Sequence, residues 1–503
     1  MSTMSIVDDL LTDLDGRPLV GDAIVTLLQH NATTADVRRR SVDIVGVEVE
    51  PDSERRWPQS HSAQLRLTLA GNDPAMRVFL KKVVASDAPS KPLAALRRDL
   101  GSNRCEARFY REFATELRAN GAPVVEPLLV DERLDVLDDR PQSTAQPAKR
   151  QSEDDGDEPQ EQEQERTLRR GGVLLLLRSA EGSFHSSPLD GTQARESLGL
   201  LAALHAAAWE RAPLLERASE RLHACGGTWA LSQRGVAELR RAHELWPQFL
   251  EAFEQHDPVA IGEARATRRS IAARLEAIAL WVAAKLRVRP TAAFATLIHG
   301  DAKAANMLRA RRDVMGGDVG GDGGRVDGGG GGDGGDDGDD GDGYDRGGLL
   351  CDFQWVGVGV GMSDVAYHLI HSVGVDALDG DGDEQLLDAY LRALRARLPP
   401  TARAAYTDAV AWRHYRLAFV DYARHLFCHV VTDASAAAFD AKNASARAAN
   451  IGLLYRDPRV ALRLVAKLGE YLSVLEAERR EDDTCEAAEV EASGTVRERT
   501  WNL

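Results

Sequence analysis

At 503 residues, 43% of them apolar, the chain can hold two domains or one large two-lobed unit with a sizeable core. Its formal charge of −17 is concentrated: residues 151–170, 313–345 and 475–503 carry −20 between them, which leaves the remainder near neutral. That balance, with no basic–aromatic patch, speaks against a nucleic-acid partner and says nothing against an anionic ligand.

Five cysteines (Cys105, Cys225, Cys351, Cys428, Cys485) show no paired spacing and an odd total, the pattern of reduced thiols. The acidic N-terminus lacks the basic start and apolar run of a signal peptide. No window approaches 18 uncharged apolar residues. The expectation is a soluble cytoplasmic protein with no membrane partner.

In chain order, residues 5–30 suggest a helix followed by a loop. VDIVGVEVE (42–50), AQLRLTLA (63–70) and MRVFLKKVV (76–84) alternate apolar and polar residues as strands do. Residues 102–119 carry apolar and aromatic side chains at helical spacing. Residues 123–130 and 173–178 read as strands flanking a polar stretch from about 138 to 170. Helical patterns then cover 192–210, 229–255, 262–287, 384–397, 401–431 and 459–478, with short strands at 293–298 and 348–353. A Gly/Asp tract spans about 313–347. Neither polar stretch can bury enough surface to offset the entropy of ordering, so both are expected to be disordered inserts. A strand-rich first part therefore precedes a helix-rich second part.

The chemistry concentrates in three places. His299-Gly300-Asp301-Ala302-Lys303-Ala304-Ala305-Asn306 follows an apolar run, as a loop leaving a short strand would. Phosphoryl transfer to a hydroxyl needs a carboxylate beside the acceptor oxygen and a metal ligand nearby, and this loop offers both types. Leu349-Leu350-Cys351-Asp352-Phe353-Gln354 is an apolar strand ending in a carboxylate, suited to holding magnesium beside phosphates. Discounting the Gly/Asp tract brings Asp301 and Asp352 within one hairpin. Asp364 then opens a helix in Ser363-Asp364-Val365-Ala366-Tyr367.

This ordered set resembles the aminoglycoside phosphotransferase and choline kinase-like superfamily, and more narrowly its ecdysteroid-kinase-like, CHK-kinase-like branch. LLAALHAAAW (200–209), GGTWAL (226–231) and YRLAFVDYAR (415–424) add to the likeness, which covers roughly residues 40–475 without the inserts. The resemblance implies an α+β, two-lobed protein-kinase-like fold with a small antiparallel-sheet N-lobe and a larger, mostly helical C-lobe. The N-lobe would span 1–177, the C-lobe 178–480, and a disordered acidic tail 481–503. It implies an ATP-dependent kinase with Mg2+, acting on a hydroxyl of a small-molecule acceptor.

By the same resemblance Asp301 would be the catalytic base, and Asn306 and Asp352 the magnesium ligands. His299 and Asp364 would support the catalytic loop. Lys81 is expected to meet the nucleotide phosphates, with Lys82 its competitor, and Glu106 to hold that lysine, with Glu112 the fallback. VLLLLRS (173–179) would supply adenine-pairing backbone. The loop expected over the phosphates, residues 51–64, contains no glycine, so Ser60, His61 and Ser62 are the candidates to cover them. That departure carries the alternative reading, a catalytically degenerate kinase-like protein that binds nucleotide or a partner. HGD in place of HRD, DFQ in place of DFG and no APE segment set the chain apart from protein kinases. His205 and Trp209 read as core packing. Trp355, Trp412, His414, Tyr415 and His425 could be core or line an acceptor pocket.

Overall fold

The computed structural model describes residues 12–17, 19, 21–40, 44–50, 53–56, 60–70, 75–87, 89–134, 165–179, 182–266, 270–310, 348–429, 435–445 and 448–493. The chain forms a two-lobed α+β fold. In the first lobe, helices α1 (Gly21–Asn31) and α2 (Ala35–Arg40) precede strands β1 (Ile44–Val49), β2 (Arg55–Arg56), β3 (Ser60–Leu69) and β4 (Met76–Val84). Helix α3 (Leu93–Arg108) runs through a π-helical turn, Phe109–Phe113, into α4 (Ala114–Ala119). Strands β5 (Pro127–Arg133) and β6 (Gly172–Arg178) complete an antiparallel sheet of order β1-β3-β4-β6-β5, with β2 on β3.

Strand alternation gives this sheet two buried faces. Leu65, Leu67, Val78, Leu80, Leu174 and Leu176 pack against Ile24 and Leu28 of α1. Val83, Val173, Leu175 and Leu177 join Leu96, Leu100, Phe109 and Tyr110 of the α3 segment in the main core. Lys81 shares the α3 face with Val83, and Lys82 shares the α1 face with Leu80.

The second lobe opens with β7 (Gly182–Phe184) and helices α5 (Gly191–Ala208), α6 (Ala212–Arg221), α7 (Leu231–Arg234), α8 (Leu239–Phe253), α9 (Pro258–Ala266) and α10 (Ile271–Leu286). Asp190 starts α5 with a reciprocal capping box to Gln193. Short strands β8 (Thr296–Ile298), β9 (Met307–Ala310), β10 (Leu349–Leu350) and β11 (Gly357–Gly359) precede helices α11 (Met362–Ser372), α12 (Gly382–Arg397), α13 (Pro400–Ala405), α14 (Asp408–Phe427), α15 (Ala436–Asn443) and α16 (Pro458–Ser493). Helix α14 is central to this lobe, packed by α8, α10, α11 and α16. No helix among the described residues is long and apolar enough to cross a membrane.

Several expectations need correcting. Residues 1–11 lie outside the described residues, and the end of the 5–30 segment, where a loop was expected, is the helix Gly21–Asn31. The Gly/Asp tract and most of the 138–170 stretch also lie outside them. Residues 165–169 form a helical turn whose Leu168 is buried at 1% exposure, so this end of the polar stretch belongs to the first lobe. The acidic tail expected from 481 is helix as far as Ser493. Neighbouring helices supply its counter-ions: Arg274 meets Glu476 at 3.0 Å, Arg413 meets Glu478 at 2.8 Å, and Lys285 meets Asp482 at 2.7 Å.

Candidate active site

β9 and β10 pair antiparallel, Met307 opposite Leu350. Asn306 ends the 3-10 turn Ala304–Asn306 just before β9, and Cys351 just after β10 donates its N–H to the Asn306 carbonyl at 3.0 Å. Asp301 and Asp352 thus sit at one end of a single hairpin. Asp352 takes a left-handed backbone conformation, φ +67°, uncommon for a non-glycine residue.

Asp352 reaches the first lobe. Lys81 Nζ donates to Asp352 Oδ1 at 2.8 Å and to Glu106 Oε2 at 2.7 Å. Glu112 points elsewhere, onto Arg221 at 2.7 Å, and Lys82 bonds Thr12 on the opposite face of the sheet. Further contacts join the lobes. Phe353 stacks on Phe109 with ring centroids 3.9 Å apart, and Cys105 Sγ donates to the Val356 carbonyl at 3.4 Å.

Burial works against the charge on Lys81, but Asp352 and Glu106 outweigh it, so its ammonium is held well above the ordinary value. Burial likewise opposes ionisation of Asp352, and the ammonium groups of Lys81 and Lys303 override it, holding the carboxyl at about 2. Glu106, 1% exposed, is pushed up to about 7 by burial despite its bond to Lys81. Of the two carboxylates sharing Lys81, Asp352 is the stronger acid.

Asp301 is held from three sides. Tyr367 Oη donates to Oδ1 at 2.6 Å, Lys303 Nζ to Oδ2 at 2.8 Å, and Asn306 Nδ2 to Oδ2 at 3.2 Å and to the Asp301 carbonyl at 2.8 Å. The loop itself hangs on Asp364, at the first turn of α11 and 0% exposed. Its carboxylate accepts from His299 N at 2.5 Å, Gly300 N at 2.9 Å and His205 Nε2 at 3.1 Å. His205 Nδ1 then accepts from Tyr390 Oη at 2.8 Å. His299 Nε2 donates to the Cys351 carbonyl at 2.9 Å, which ties the loop to the Asp352 strand. Gly300 is required here: φ is +76°, and a Cβ would lie 2.0 Å from the Trp355 carbonyl oxygen.

All seven residues singled out in sequence lie in this region. Lys81, Glu106 and Asp352 form one contact set, joined to the Asp301, Asn306, His299 and Asp364 set through the β9–β10 hairpin. Other expectations do not survive. His61 and Ser62 are strand residues paired with both β2 and β4, so they are no phosphate-covering loop, and Ser60 is paired to β4. Residues 51–52 and 57–59 of the expected loop lie outside the described residues. VLLLLR is strand β6, flanked by β4 and β5, so its backbone is committed to the sheet.

Sequence reasoning missed Lys303 and the role of Tyr367. The first was signalled by its place two residues after Asp301 in the loop motif. A cavity of about 280 Å³ is lined by Thr228, Tyr367, His371, Tyr422, His425 and Tyr455 among others, and adjoins Asp301 through Tyr367. Of the five aromatic and histidine pocket candidates only His425 lines it. Trp355 stacks on His223, while Tyr415 and Trp412 pack in the core. His205 is buried as core but also braces Asp364.

No family model matches the chain, and no curated protein matches it. Among solved structures, similar chains include a spectinomycin phosphotransferase in complex with ADP and spectinomycin: 8% identity, 89% of this chain and 93% of that one covered, TM-score 0.34. A microcompartment-associated aminopropanol kinase is 13% identical over 85% of this chain and 94% of its own, TM-score 0.34. An aminoglycoside phosphotransferase from Alicyclobacillus acidocaldarius is 12% identical over 88% and 93%, TM-score 0.34.

Proposed function

We propose that this protein is an ATP-dependent small-molecule kinase that transfers the γ-phosphoryl group to a hydroxyl of a small acceptor. The observation that carries the reading is a single contact chain across the lobe junction, Glu106–Lys81–Asp352, joined through one hairpin to the Asp301–Asn306 loop.

In this reading Lys81, fixed by Glu106, neutralises nucleotide phosphate charge. Asp301 orients the acceptor hydroxyl and takes its proton as the oxygen attacks phosphorus. Lys303 brings a second ammonium beside Asp301. Asp364 and His299 shape the loop and touch no reacting atom.

The donor chemistry fits magnesium: a strongly ionised carboxylate, Asp352, lies beside a carboxamide, Asn306, whose N–H groups are turned to Asp301. Those two residues would hold the ion, which when bound supplies charge neutralisation at the phosphate oxygens. The acceptor would enter the cavity beside Tyr367. Its lining carries no carboxylate, which favours an acceptor that stacks on Tyr367, Tyr422 and Tyr455 over a polycation.

The test combines thermal unfolding with a turnover screen over hydroxyl compounds. ATP with Mg2+ at 100 times its dissociation constant should stabilise the wild type by about 2.7 kcal/mol. Asp352→Ala should weaken that shift. Asp301→Asn should keep it and lose about 10²-fold or more in turnover. Undiminished turnover in Asp301→Asn, or no nucleotide shift in the wild type, refutes the proposal. The second of these would favour the non-catalytic alternative.

A further inference from the structure

We propose that Glu238, His425 and His429 form a binding site for a divalent transition-metal ion of the zinc class, at the wall of the cavity that His425 lines. Glu238 ends the 3-10 turn Val236–Glu238 that leads into α8; His425 lies in the last turn of α14, and His429 follows it by four residues. Their potential ligand atoms all lie within 4.8 Å of one another. His425 Nδ1 is 3.3 Å from Glu238 Oε1, and His429 Nε2 is 4.0 Å from Glu238 Oε2. Two imidazoles and a carboxylate are a complete protein ligand set for a zinc ion with one further position, open to water or another donor atom.

The surroundings orient these groups as a metal site requires. His429 Nδ1 sits 3.0 Å from the His425 carbonyl oxygen, to which it must donate, so its Nε2 carries the lone pair. Arg424, 1% exposed, donates to Glu238 Oε1 at 2.9 Å, to Asp421 Oδ1 at 3.1 Å and to the Trp229 carbonyl at 2.5 Å. It fixes the carboxylate with Oε2 turned towards His429. Binding at His425 needs its Nδ1 lone pair, which the ring provides by shifting its proton to Nε2, with no net proton lost.

Local charge selects the class of ion. Arg424 and Arg234 stand against Glu238 and Asp421, so the neighbourhood is near neutral and attracts no cation by bulk field. Affinity must come from nitrogen coordination, which favours zinc, cobalt, nickel or copper over magnesium and calcium. The site uses no residue of the nucleotide cleft; it borders the cavity that the proposed function gives to the acceptor, and metal binding is read here without nucleotide or acceptor.

The test is titration of metal-stripped, full-length protein with Co2+, read by its visible absorption, and with Zn2+ in competition, without nucleotide. The expected result is one ion per chain, a Co2+ spectrum of four or five coordination, and displacement by Zn2+. His429→Ala, a partly exposed position whose folding is checked by circular dichroism, should weaken binding about tenfold or more. Asp352→Asn should leave it unchanged. The proposal is overturned by no saturable binding, by unchanged affinity in His429→Ala, or by loss of the signal in Asp352→Asn.

Discussion

Removing the Asp364 carboxylate should unfasten the His299–Asn306 loop by a calculable amount. With 0% exposure, Asp364 and its partners have no water to turn to. In Asp364→Ala the N–H groups of His299 and Gly300 lose their acceptor, and His205 Nε2 loses its own. A stranded buried donor costs about 1–3 kcal/mol, so the two backbone groups alone account for about 2–6 kcal/mol. Asp364→Asn retains one oxygen but turns an NH2 towards a donor it cannot pair, so it should lose about 1–3 kcal/mol. Equilibrium urea unfolding followed by tryptophan fluorescence measures both. The alanine variant should be the less stable, and both should lose turnover because Asp301 rides on this loop. A loss below about 1 kcal/mol in Asp364→Ala would refute the reasoning and mean that other contacts hold the loop.

Three further outcomes are expected. Gly300→Ala should cost about 3 kcal/mol or more by the same assay, because its Cβ meets backbone at 2.0 Å and its φ of +76° disfavours a side chain; a variant within about 1 kcal/mol of wild type would contradict this. Lys81→Met should lose about 3 kcal/mol by stranding Glu106 and Asp352, together with the nucleotide shift. Lys81→Met/Glu106→Gln should regain part of the stability and none of the binding, and additive losses would sink that coupling. Burial holds His368, His371, His414 and His425 down at about 4 against an ordinary 6.5. Between those values the unfolded chain binds protons that the folded chain does not. The histidine contribution to stability is therefore complete above 6.5 and falls as pH drops through the window, by at most about 1.4 kcal/mol per pH unit per histidine, with the raised Glu106 carboxyl offsetting about one of the four. Urea titrations across that range should show the slope, His371→Gln should flatten it by one proton, and a level profile would dispose of the argument.

The strands, most helices and the Asp301–Asp352 hairpin were readable because each rests on local periodicity or on a motif held within a few residues. Choosing Lys81 over Lys82 was harder. Alternation puts them on opposite faces, but only packing shows which face meets α3 and which meets Thr12. Glu106 against Glu112 is decided likewise, by Arg221, more than a hundred residues away. Trp209 looked like core and is core, while His205 combines burial with a polar task that periodicity does not encode. Composition misled at the C-terminus. The acidic residues after 475 read as a solvated tail, yet Leu464, Leu468, Tyr471, Leu472 and Leu475 anchor the helix, and Arg274, Arg413 and Lys285 carry it further. The pairing of Glu238 with His425 spans 187 positions and leaves no local signature.

The two long polar stretches share one topological trait. The first separates β5 from β6, and the second separates β9 from β10; each pair is hydrogen-bonded side by side. The described residues on either side of each stretch are therefore neighbours already held by the sheet, and covalent continuity between them is not needed to keep them paired. A protease cutting within 135–164 or 311–347 would sever the polypeptide without parting any described contact, and the pieces would travel together until denatured. The same two places could serve as new termini for a circularly permuted chain or as seats for an inserted domain, with β9 and β10 paired in every case.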